Sequence, residues 1–485
     1  MVQCQTDFLS QFWGILRYLG ERTIVNSNFV NFEIQMIKTP PPRIPERPFE
    51  FMCERHGEHF FEYLPFSQPT TDDGKYLHYD EFRHRVPKKL NVDMAWALTK
   101  ETRKARAQYL LLLGEEFASF NTTSRVQKTI TLVDQTTTSA ALEWTIGKLG
   151  EREHLNYLFN DLIEDEAISS SQLEGAATTT LVAKDMLKRQ REPRSMDEKM
   201  ILGNFRMMRF AWEHRTADIS PDFIRELHAV GVEGINDEHY LPGVFRSHDE
   251  VVVEDRDGNI VHQPPPAQGI EQRFQKFCEW VNSNHDEIES NTYLHPLIKA
   301  IVIHFVIGYE HPFQDGNGRV ARALFYWFMF RKEYGAFRYI SISNLLKDAA
   351  TQYGKSYLYT ETDEMDMTYF IDYQCSIIMR AVSTFKNHCQ KAIADIESFN
   401  QWLWKTGTLK KLNDKQKVVF QVARSKVQRE FTATNVKENL GCSYNTASAV
   451  LNGLVDLNLF GKKKEGREWV FYLLDQNDIQ HHWKP

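Results

Sequence analysis

The sequence predicts a mainly α-helical protein with one β-hairpin in its middle third and a small domain of helices and a second hairpin at its end. Three observations support this class. Apolar residues recur at the three- and four-residue spacing of amphipathic helices over most of the chain. Two β-branched runs flank a Gly-containing turn at 251–261, a pattern typical of a hairpin. Residues 401–485 combine short amphipathic helices with one basic hairpin.

The composition limits the class of protein. The chain has 485 residues, which suggests about three domains, with 42% hydrophobic residues, 25% charged residues and a net charge of -7. This mildly acidic balance argues against a polybasic surface for nucleic acid or membrane over the whole chain. No apolar run approaches the ~20 residues of a membrane span. We therefore expect a cytoplasmic protein that does not contact a membrane.

Two further features agree with a reducing compartment. The six cysteines are scattered and include no Cys-x-x-Cys motif, which favours buried free thiols over disulfides. Met1–Asp7 lacks the basic region of a signal peptide, and no small-residue cleavage site follows.

The first 150 residues carry no chemical motif. Residues 1–60 are predicted to form an N-terminal extension that includes a proline-dense, extended linker at 39–48. Residues 61–150 are predicted to form a helical module, with helices over Val92–Phe117 and Thr129–Glu151. We expect this module to support the domain that follows it.

The chemistry is concentrated in His311–Arg322, which reads His-Pro-Phe-Gln-Asp-Gly-Asn-Gly-Arg-Val-Ala-Arg. The backbone at Gly316 and Gly318 can approach a ligand closely, and its N–H groups, at the start of a helix, point at an anion. Arg319 and Arg322 are three residues apart, so both can reach the same phosphates from one face of that helix. The pattern predicts a phosphate site.

Two further residues of this stretch add catalytic chemistry. Asp315, just before the helix, is placed to hold a hard cation such as magnesium against the phosphates. His311, with an ordinary pKa near ~6.5, can take a proton from a hydroxyl near neutral pH. The alternative is a Gly-rich loop that leads into an Arg-rich surface helix, and it gives no reason for a histidine, a carboxylate and two arginines to occur within twelve residues.

The stretch resembles the signature of Fic-domain AMP transferases, His-x-Phe-x-(Asp/Glu)-Gly-Asn-Gly-Arg-x-x-Arg, at every specified position. The resemblance implies an all-α Fic core, which we place at residues 151–400, with ATP as substrate and Mg²⁺ as cofactor. It makes His311 the catalytic residue and Asp315 the metal ligand. The implied ATP-binding residues are Phe313, Asp315, Gly316, Asn317, Gly318, Arg319 and Arg322.

A second motif precedes the first. Ser170 and Glu174 are four residues apart on a predicted helix that stops at Gly175, and such a pair usually marks a solvated surface. The same residues match Ser/Thr-x-x-x-Glu-(Gly/Asn), the inhibitory helix signature of Fic proteins. By that resemblance the helix at 168–175 holds Glu174 against Arg322, in the place of an ATP γ-phosphate, and Ser170 helps to place it.

The hairpin at 251–261 has two interpretations. A surface hairpin without a function is the usual meaning of such a pattern. In Fic proteins a hairpin at this point is the flap that holds the target segment by strand addition. That resemblance assigns Val251, Val252 and Val253 to target docking and is the interpretation that we favour.

The activity that the resemblance implies is protein adenylylation. His311 would deprotonate a Ser, Thr or Tyr hydroxyl of a protein substrate, which then attacks the α-phosphate of ATP, while Glu174 keeps activity low. The same residues would serve the reverse class of enzyme, which removes AMP from a protein. The resemblance also allows self-modification and a homodimer.

The tail has a different character. Predicted helices at Asn413–Ser425, Thr432–Leu440 and Ser443–Leu457 precede a basic hairpin at 459–472, which is the winged-helix order. Residues 411–474 contain 11 Lys and Arg against 6 Asp and Glu, a local net charge of +5. A winged-helix domain at 401–485 could bind DNA, which would make the protein a nucleotide-sensing regulator. The third helix opens without an arginine that could read guanine, so a role in protein docking stays open.

Overall fold

The computed structural model describes residues 39–149, 164–235, 240–254, 260–287, 293–407, 410–424, 428, 430–466, 468–475 and 478–479. Helices dominate these ranges, as the sequence predicts, and their sheets are two two-stranded hairpins and one three-stranded sheet. Residues 1–38 of the predicted N-terminal extension lie outside the described residues. In the described ranges no helix is long and apolar enough to cross a bilayer, and the five cysteines present are free thiols.

The N-terminal module has its own apolar cluster around Trp96, Tyr63 and Phe82. Its elements are α1 (Pro48–His56), α2 (Phe60–Tyr63), α3 (Tyr79–Phe82), α4 (Val92–Arg106), β1 (Gln108–Leu113), β2 (Glu116–Phe120), α5 (Ser124–Thr137) and α6 (Ser139–Leu149).

The prediction of one helix over Val92–Phe117 was wrong. Helix α4 ends at Arg106, and the following residues form the antiparallel hairpin β1–β2. The run of leucines before Gly114 fits either structure by periodicity, but Gly114 has a φ of 62°, which suits a tight turn. The hairpin buries Leu113 and Phe120 in the central core. The helix predicted over Thr129–Glu151 is likewise divided, because Thr138 leaves the helical conformation with a ψ of 155°.

The central region is built on two helices. Helix α12 (Pro296–Glu310) is buried on nearly all sides, and every residue from Asn317 to Phe330 in α13 (Asn317–Arg331) is buried. A helix that is buried all round belongs in the middle of a core. Around this pair lie α7 (164–173), α8 (Thr180–Arg189), α9 (Met196–Glu213), α10 (Pro221–Val232), α11 (Ile270–Asn282), α14 (Ser343–Asp348), α15 (Ala350–Thr362) and α16 (Thr368–Thr406).

The predicted central hairpin is present but short. Strands β3 (Val253–Glu254) and β4 (Ile260–His262) pair antiparallel, with Val253 opposite His262. Strand β3 begins only at Val253. Val251 is buried, and Val252 lies outside the ladder. The turn at 255–259 lies outside the described residues.

The C-terminal elements follow the predicted order, with helix bounds within one residue of the prediction. They are α17 (Asp414–Arg424), β5 (Glu430–Phe431), α18 (Ala433–Leu440), α19 (Tyr444–Asp456), β6 (Phe460–Glu465) and β7 (Glu468–Leu473), with the sheet order β5-β7-β6. A separate apolar cluster around Val419, Leu451 and Phe471 holds them together. The predicted boundary at residue 401 falls inside α16, which continues to Thr406.

A buried ion pair joins the N-terminal module to the central region. Lys100 Nζ of α4 lies 2.7 Å from Asp363 Oδ1, which follows α15, and both side chains are at most 6% exposed. Asp363 also accepts a 2.8 Å bond from the Tyr369 hydroxyl, which in turn accepts one from Arg103. Burial alone would raise the pKa of Asp363, but the charge of Lys100 outweighs it and the pKa is lowered.

We expect Asp363→Asn to lower the free energy of unfolding by about 3–5 kcal/mol at pH 7, because it leaves Lys100 buried without its counter-charge. Urea denaturation measures this loss. Since the folded pKa of Asp363 is depressed, its contribution is complete above the unfolded pKa of ~3.9 and disappears as pH falls through the folded value. Glu364→Gln is the control, since that half-exposed carboxylate lies 3.6 Å from the same ammonium. It should cost less than about 1 kcal/mol, and equal losses in the two variants would contradict the assignment.

Candidate active site

The loop that connects α12 to α13 carries the predicted catalytic stretch. His311 ends α12 in the left-handed conformation, with a φ of 45°, and donates its backbone N–H to Ile307 O at 3.0 Å. Gly316, with a φ of 80°, precedes the first residue of α13. These two left-handed residues reverse the chain between the two central helices. The loop is therefore enclosed by the core, and His311 is only 1% exposed.

Arg246 holds this loop by binding its carbonyl groups. Its fully buried guanidinium donates to His311 O at 2.9 Å and also to the carbonyls of Glu310 and Pro265. Its backbone N–H donates to Pro312 O at 2.8 Å. The sequence predicts no role for Arg246, because its partners in the loop are main-chain atoms far along the chain and no side-chain pattern marks them.

His228 of α10 supports the other end of the loop. Its Nε2 donates to Asp315 O at 3.1 Å, and its Nδ1 accepts from Gly243 N at 3.0 Å. The ring stacks on Phe313 with centroids 3.8 Å apart. Burial, with the charge of Arg319 beside it, lowers the pKa of His228 to about 3. Both ring nitrogens of His228 bind main-chain atoms of other segments, so no local sequence pattern predicts its role.

Two of the predicted ATP-binding residues shape the loop with their side chains. The Asn317 amide accepts from Phe313 N at 2.9 Å and donates to Phe313 O at 2.8 Å. Phe313 is fully buried between His228 and Phe245. Direct contact between these side chains and a nucleotide stays a prediction.

His311 presents one defined tautomer. Its Nδ1 lies 3.3 Å from Gly308 O, and a carbonyl can only accept, so Nδ1 carries the proton and Nε2 the lone pair. Burial, together with the nearby charges of His262 and Arg246, lowers the pKa of His311 to about 3. The ring is therefore neutral at pH 7, and the protein moves its pKa away from the ordinary value that the sequence analysis used.

The two arginines of the motif are buried and only partly satisfied. Arg319 and Arg322 are at most 1% exposed. Among the described residues, Arg319 Nε and Nη2 and Arg322 Nη1 have no hydrogen-bond partner. Unpaired buried donors on a charged group are costly. Their position beside the N-terminus of α13 therefore suits an anionic ligand.

Asp315, the metal ligand that the resemblance implies, lies buried beside Arg319. Its side chain is buried, accepts from Gly316 N, and lies 3.8 Å from Arg319 Nη2. Burial raises its pKa, and the charge of Arg319 opposes this only in part. The described residues contain no cluster of three His, Cys, Asp or Glu, so a magnesium ion here would combine Asp315 with oxygens of phosphate and water.

The predicted inhibitory motif reaches this site. Arg322 Nη2 lies 2.8 Å from Glu174 Oε1, and Arg322 Nε donates to Ser170 Oγ at 2.8 Å. Glu174 is 3% exposed. Helix α7 ends at 173 and not at 175, because Gly175, with a φ of 98°, and the Ala176 N to Ser171 O bond form a Schellman turn. Residues 170, 174 and 322 are thus brought together as the resemblance implies.

The carboxylate of Glu174 lies against the first turn of α13. A β-carbon added to Gly318 would be 2.2 Å from Glu174 Oε1, so only glycine leaves room for this contact. The start of a helix carries partial positive charge that favours an anion. Glu174 therefore occupies an anion position of this site.

Helix α7 is also held in place by Glu166, a residue to which the sequence assigns no role. Glu166 is 3% exposed and accepts hydrogen bonds from Ser341 Oγ, Ser343 N and Ser343 Oγ at 2.5–3.0 Å. Glu166, Ser170 and Glu174 follow one another at four-residue spacing, so they share one face of the helix. That spacing is the signal that could have revealed Glu166.

The hairpin β3–β4 lies beside the motif. Val253 and Val261 line a cavity of about 50 Å³ together with Gly318, Gly308, Tyr353 and Tyr357. Val251, assigned to docking by resemblance, is 1% exposed and packs inward, whereas Val252 and Val253 are half-buried.

Comparison with known proteins agrees with this geometry. Residues 218–329 match the profile of the Fic/DOC family. This part of the chain matches a Fic domain. The match includes the whole of His311–Arg322 and the hairpin, and it excludes Ser170, Glu174 and Gly175 of the inhibitory motif.

Relatives of the Fic domain cover short segments. Protein adenylyltransferase Fic of Nematostella vectensis is 41% identical over 63 residues, which are 13% of this chain and 14% of that protein. Protein adenylyltransferase Fic of Drosophila melanogaster is 38% identical over 73 residues, 15% and 14% of the two chains. The chain therefore spans about one seventh of the length of these curated relatives.

Two solved structures are also similar. One is a Fic family protein from Desulfovibrio desulfuricans, with a TM-score of 0.46 and 17% identity over 73% of this chain and 98% of that one. The other is a Fic-1 fragment from C. elegans, with a TM-score of 0.41 and 16% identity over 71% and 89% of the two chains.

We expect the His311 ring of the Fic domain to stay neutral from pH 8 down to pH 5, because its pKa is about 3. Histidine ring NMR signals recorded against pH measure this, with His311→Asn assigning the resonance. The chain unfolded in urea should titrate near ~6.5. Since the folded pKa lies below the unfolded one, protonation of the unfolded chain favours unfolding as pH falls below ~6.5. A titration midpoint above pH 6 in the folded protein would contradict the prediction.

Proposed function

We propose that the protein is a protein adenylyltransferase that moves AMP from ATP to a Ser, Thr or Tyr hydroxyl of a protein substrate. One observation carries this proposal. The buried Arg319 and Arg322 have unsatisfied donors at the N-terminus of α13, beside the neutral imidazole of His311. The short segments shared with proteins named protein adenylyltransferase support the same reaction class.

Phosphate binding follows from the donors. The first turn of α13 carries the N–H groups of Gly318 and Arg319, and the unsatisfied guanidinium donors lie on the same part of the helix, which suits a chain of phosphates. Arg319 would neutralise the pyrophosphate that leaves. Asp315 would hold Mg²⁺, which, when bound, shields the negative charge of the phosphates.

The chemical step uses His311 as general base. Nε2 accepts the proton of the target hydroxyl while its oxygen forms a bond to the α-phosphorus. The bond from the α-phosphorus to the bridging oxygen breaks, and pyrophosphate leaves with the electron pair. The low pKa of His311 keeps the base unprotonated at pH 7, and nearby phosphate charge would raise its proton affinity when the transfer occurs.

The target would bind as an added strand. The two-stranded sheet β3–β4 leaves an outer edge on each strand, where an extended segment can pair its backbone. The half-buried Val253 lines a cavity with Gly318 and Gly308, so the flap lies beside the first turn of α13.

Inhibition would follow from competition for Arg322. Two of its nitrogens, Nε and Nη2, are engaged with Ser170 and Glu174. A γ-phosphate that needs this guanidinium would meet the carboxylate of Glu174 and be repelled. ATP would then bind in a pose that does not allow in-line attack.

We expect Glu174→Gly to raise AMP transfer by roughly tenfold or more, because breaking this buried pair frees Arg322 for ATP. The measurement is labelling of protein from α-labelled ATP. Gln172→Ala is the matched control, since Gln172 lies on the same helix but contacts Lys347 and Thr178. It should change labelling less than about twofold.

His311→Ala is the blank for this experiment. It should reduce labelling by about 10²–10⁴-fold while leaving ATP affinity nearly unchanged, since His311 makes its contribution in the transition state. Absence of labelling in every variant would refute transfer from ATP. Release of AMP from a modified target without ATP would then identify the reverse reaction.

A second candidate function is DNA binding through the C-terminal domain. Lys462 of β6 bonds Asn452 of α19 at 3.1 Å, so the basic hairpin and the third helix form one surface. Lys464 adjoins it, and half-exposed Trp469 lies opposite Lys464 in the sheet. In contrast, Lys463 is paired with Glu430 and Glu465.

We expect binding of the full chain to duplex DNA to weaken with salt, and the double change Lys462→Gln, Lys464→Gln to reduce the slope of log K against log salt by about 1.8. Fluorescence anisotropy measures both. Lys89→Gln, an exposed lysine paired with Glu62 in the N-terminal module, is the control. Identical slopes for the native chain and the double variant would exclude this surface.

A further inference from the structure

His262, at the end of β4, joins three elements around the active-site loop. Its Nδ1 lies 2.7 Å from Glu361 Oε2 of α15, and its Nε2 lies 2.8 Å from Tyr309 O in the last turn of α12. The ring also packs on that of Tyr309, with centroids 5.4 Å apart. Its side chain is 9% exposed and that of Glu361 is 17% exposed. The hairpin, α12 and α15 therefore meet at one imidazole.

The partners determine the protonation of this ring. A main-chain carbonyl and a carboxylate are both acceptors, so two short contacts require a proton on each ring nitrogen. A neutral imidazole has only one such proton. Beside an ionised Glu361, its other ring nitrogen would then face an acceptor oxygen with a lone pair. The geometry therefore corresponds to an imidazolium paired with Glu361.

The charges around His262 agree with this state. Burial would lower the pKa of His262, but Glu361 and the Tyr309 carbonyl outweigh it and the pKa is raised. Arg246, behind the loop, acts in the opposite direction. His262 in turn counts among the charges that lower the pKa values of His311 and Glu310.

We propose that His262 is a positioning residue that, as an imidazolium bound to Glu361 and Tyr309 O, fastens the flap to the catalytic helix and adds to the burial that keeps the base His311 unprotonated. The kinetic part of this inference rests on the proposed adenylyl transfer. The charge state and the fastening do not, because they follow from the contacts alone.

The route from His262 to the base is short. The Gly308 carbonyl, which orients the His311 ring, immediately precedes the Tyr309 carbonyl that His262 binds. Val253, opposite His262 in the ladder, borders the cavity beside Gly318. The ring of His262 thus contacts the last turn of α12, and its residue pairs with Val253 of β3 in the flap. Its loss should affect target binding and proton transfer, and leave phosphate binding unaffected.

This attachment depends on pH in a defined direction. Because the folded pKa of His262 is raised, the paired state is complete below the unfolded pKa of ~6.5 and is lost as pH rises through the folded pKa. The groups that face the ring are Glu361 from α15, Glu310 and His311 at the end of α12, and Arg246 from the preceding loop.

The charge state can be tested without any activity. Histidine-labelled full-length protein at pH 6.5 should give a ring signal in which both nitrogens carry directly bonded protons, and this signal should be absent in His262→Gln. A signal with only one protonated nitrogen would overturn the inference, whether or not the protein transfers AMP.

The positioning role is tested in the Glu174→Gly background. His262→Gln should raise the KM for the target about tenfold and leave the KM for ATP within about twofold. It should also move the acid limb of kcat/KM upward by about one pH unit, because a positive charge near His311 is removed. Glu361→Gln keeps an acceptor but loses the charge that holds the proton. It should therefore shift the acid limb in the same way with a smaller rise in target KM.

The control is His59→Gln, which removes the histidine of another His–Glu pair, His59 with Glu62 in the N-terminal module. It should leave both quantities unchanged. If His262→Gln also left the acid limb and the target KM unchanged, the positioning role would be overturned. If both ring nitrogens are protonated but no variant labels protein, the fastening stands and the proposed transfer fails.

Discussion

Two guanidinium groups buried in an apolar core impose the main constraint on this fold. Arg319 and Arg322 lie on a helix whose other side chains are almost all buried and apolar. Removing such charges from water costs several kcal/mol each unless partners replace the solvent. The surrounding elements supply those partners only in part, through Glu174, Ser170 and Gly231 O. The donors that remain are suited to an anionic ligand.

This constraint links stability to inhibition. The same contact between Glu174 and Arg322 compensates a buried charge in the resting protein and, under the proposed function, blocks the productive pose of ATP. A change that releases Arg322 should therefore cost stability unless nucleotide replaces the carboxylate. A second contact holds helix α7 in place, because Glu166 accepts hydrogen bonds from Ser341 and from Ser343, the first residue of α14.

The loop between the central helices is held mainly by donors directed at main-chain carbonyls. Arg246 binds Glu310 O and His311 O, His228 binds Asp315 O, and Asn317 binds both polar atoms of the Phe313 backbone. Such contacts orient the loop before any ligand arrives, which reduces reorganisation during a reaction. His262 extends the same arrangement to the hairpin, so base and flap share one support.

The sequence by itself determined the helical class, the motif at 311–322, the hairpin and the order of the C-terminal elements, because these depend on spacing within a few residues. It also identified the pairing of Ser170 and Glu174 with Arg322, through the resemblance. Only the tertiary structure decided which contacts form between residues that are far apart along the chain. The division after Arg106 depends on whether the leucines of β1 find a hairpin partner, and periodicity is ambiguous there. Arg246, His228 and Glu166 bind atoms from distant segments, most of them main-chain. The low pKa of His311 arises from burial, which no local pattern measures.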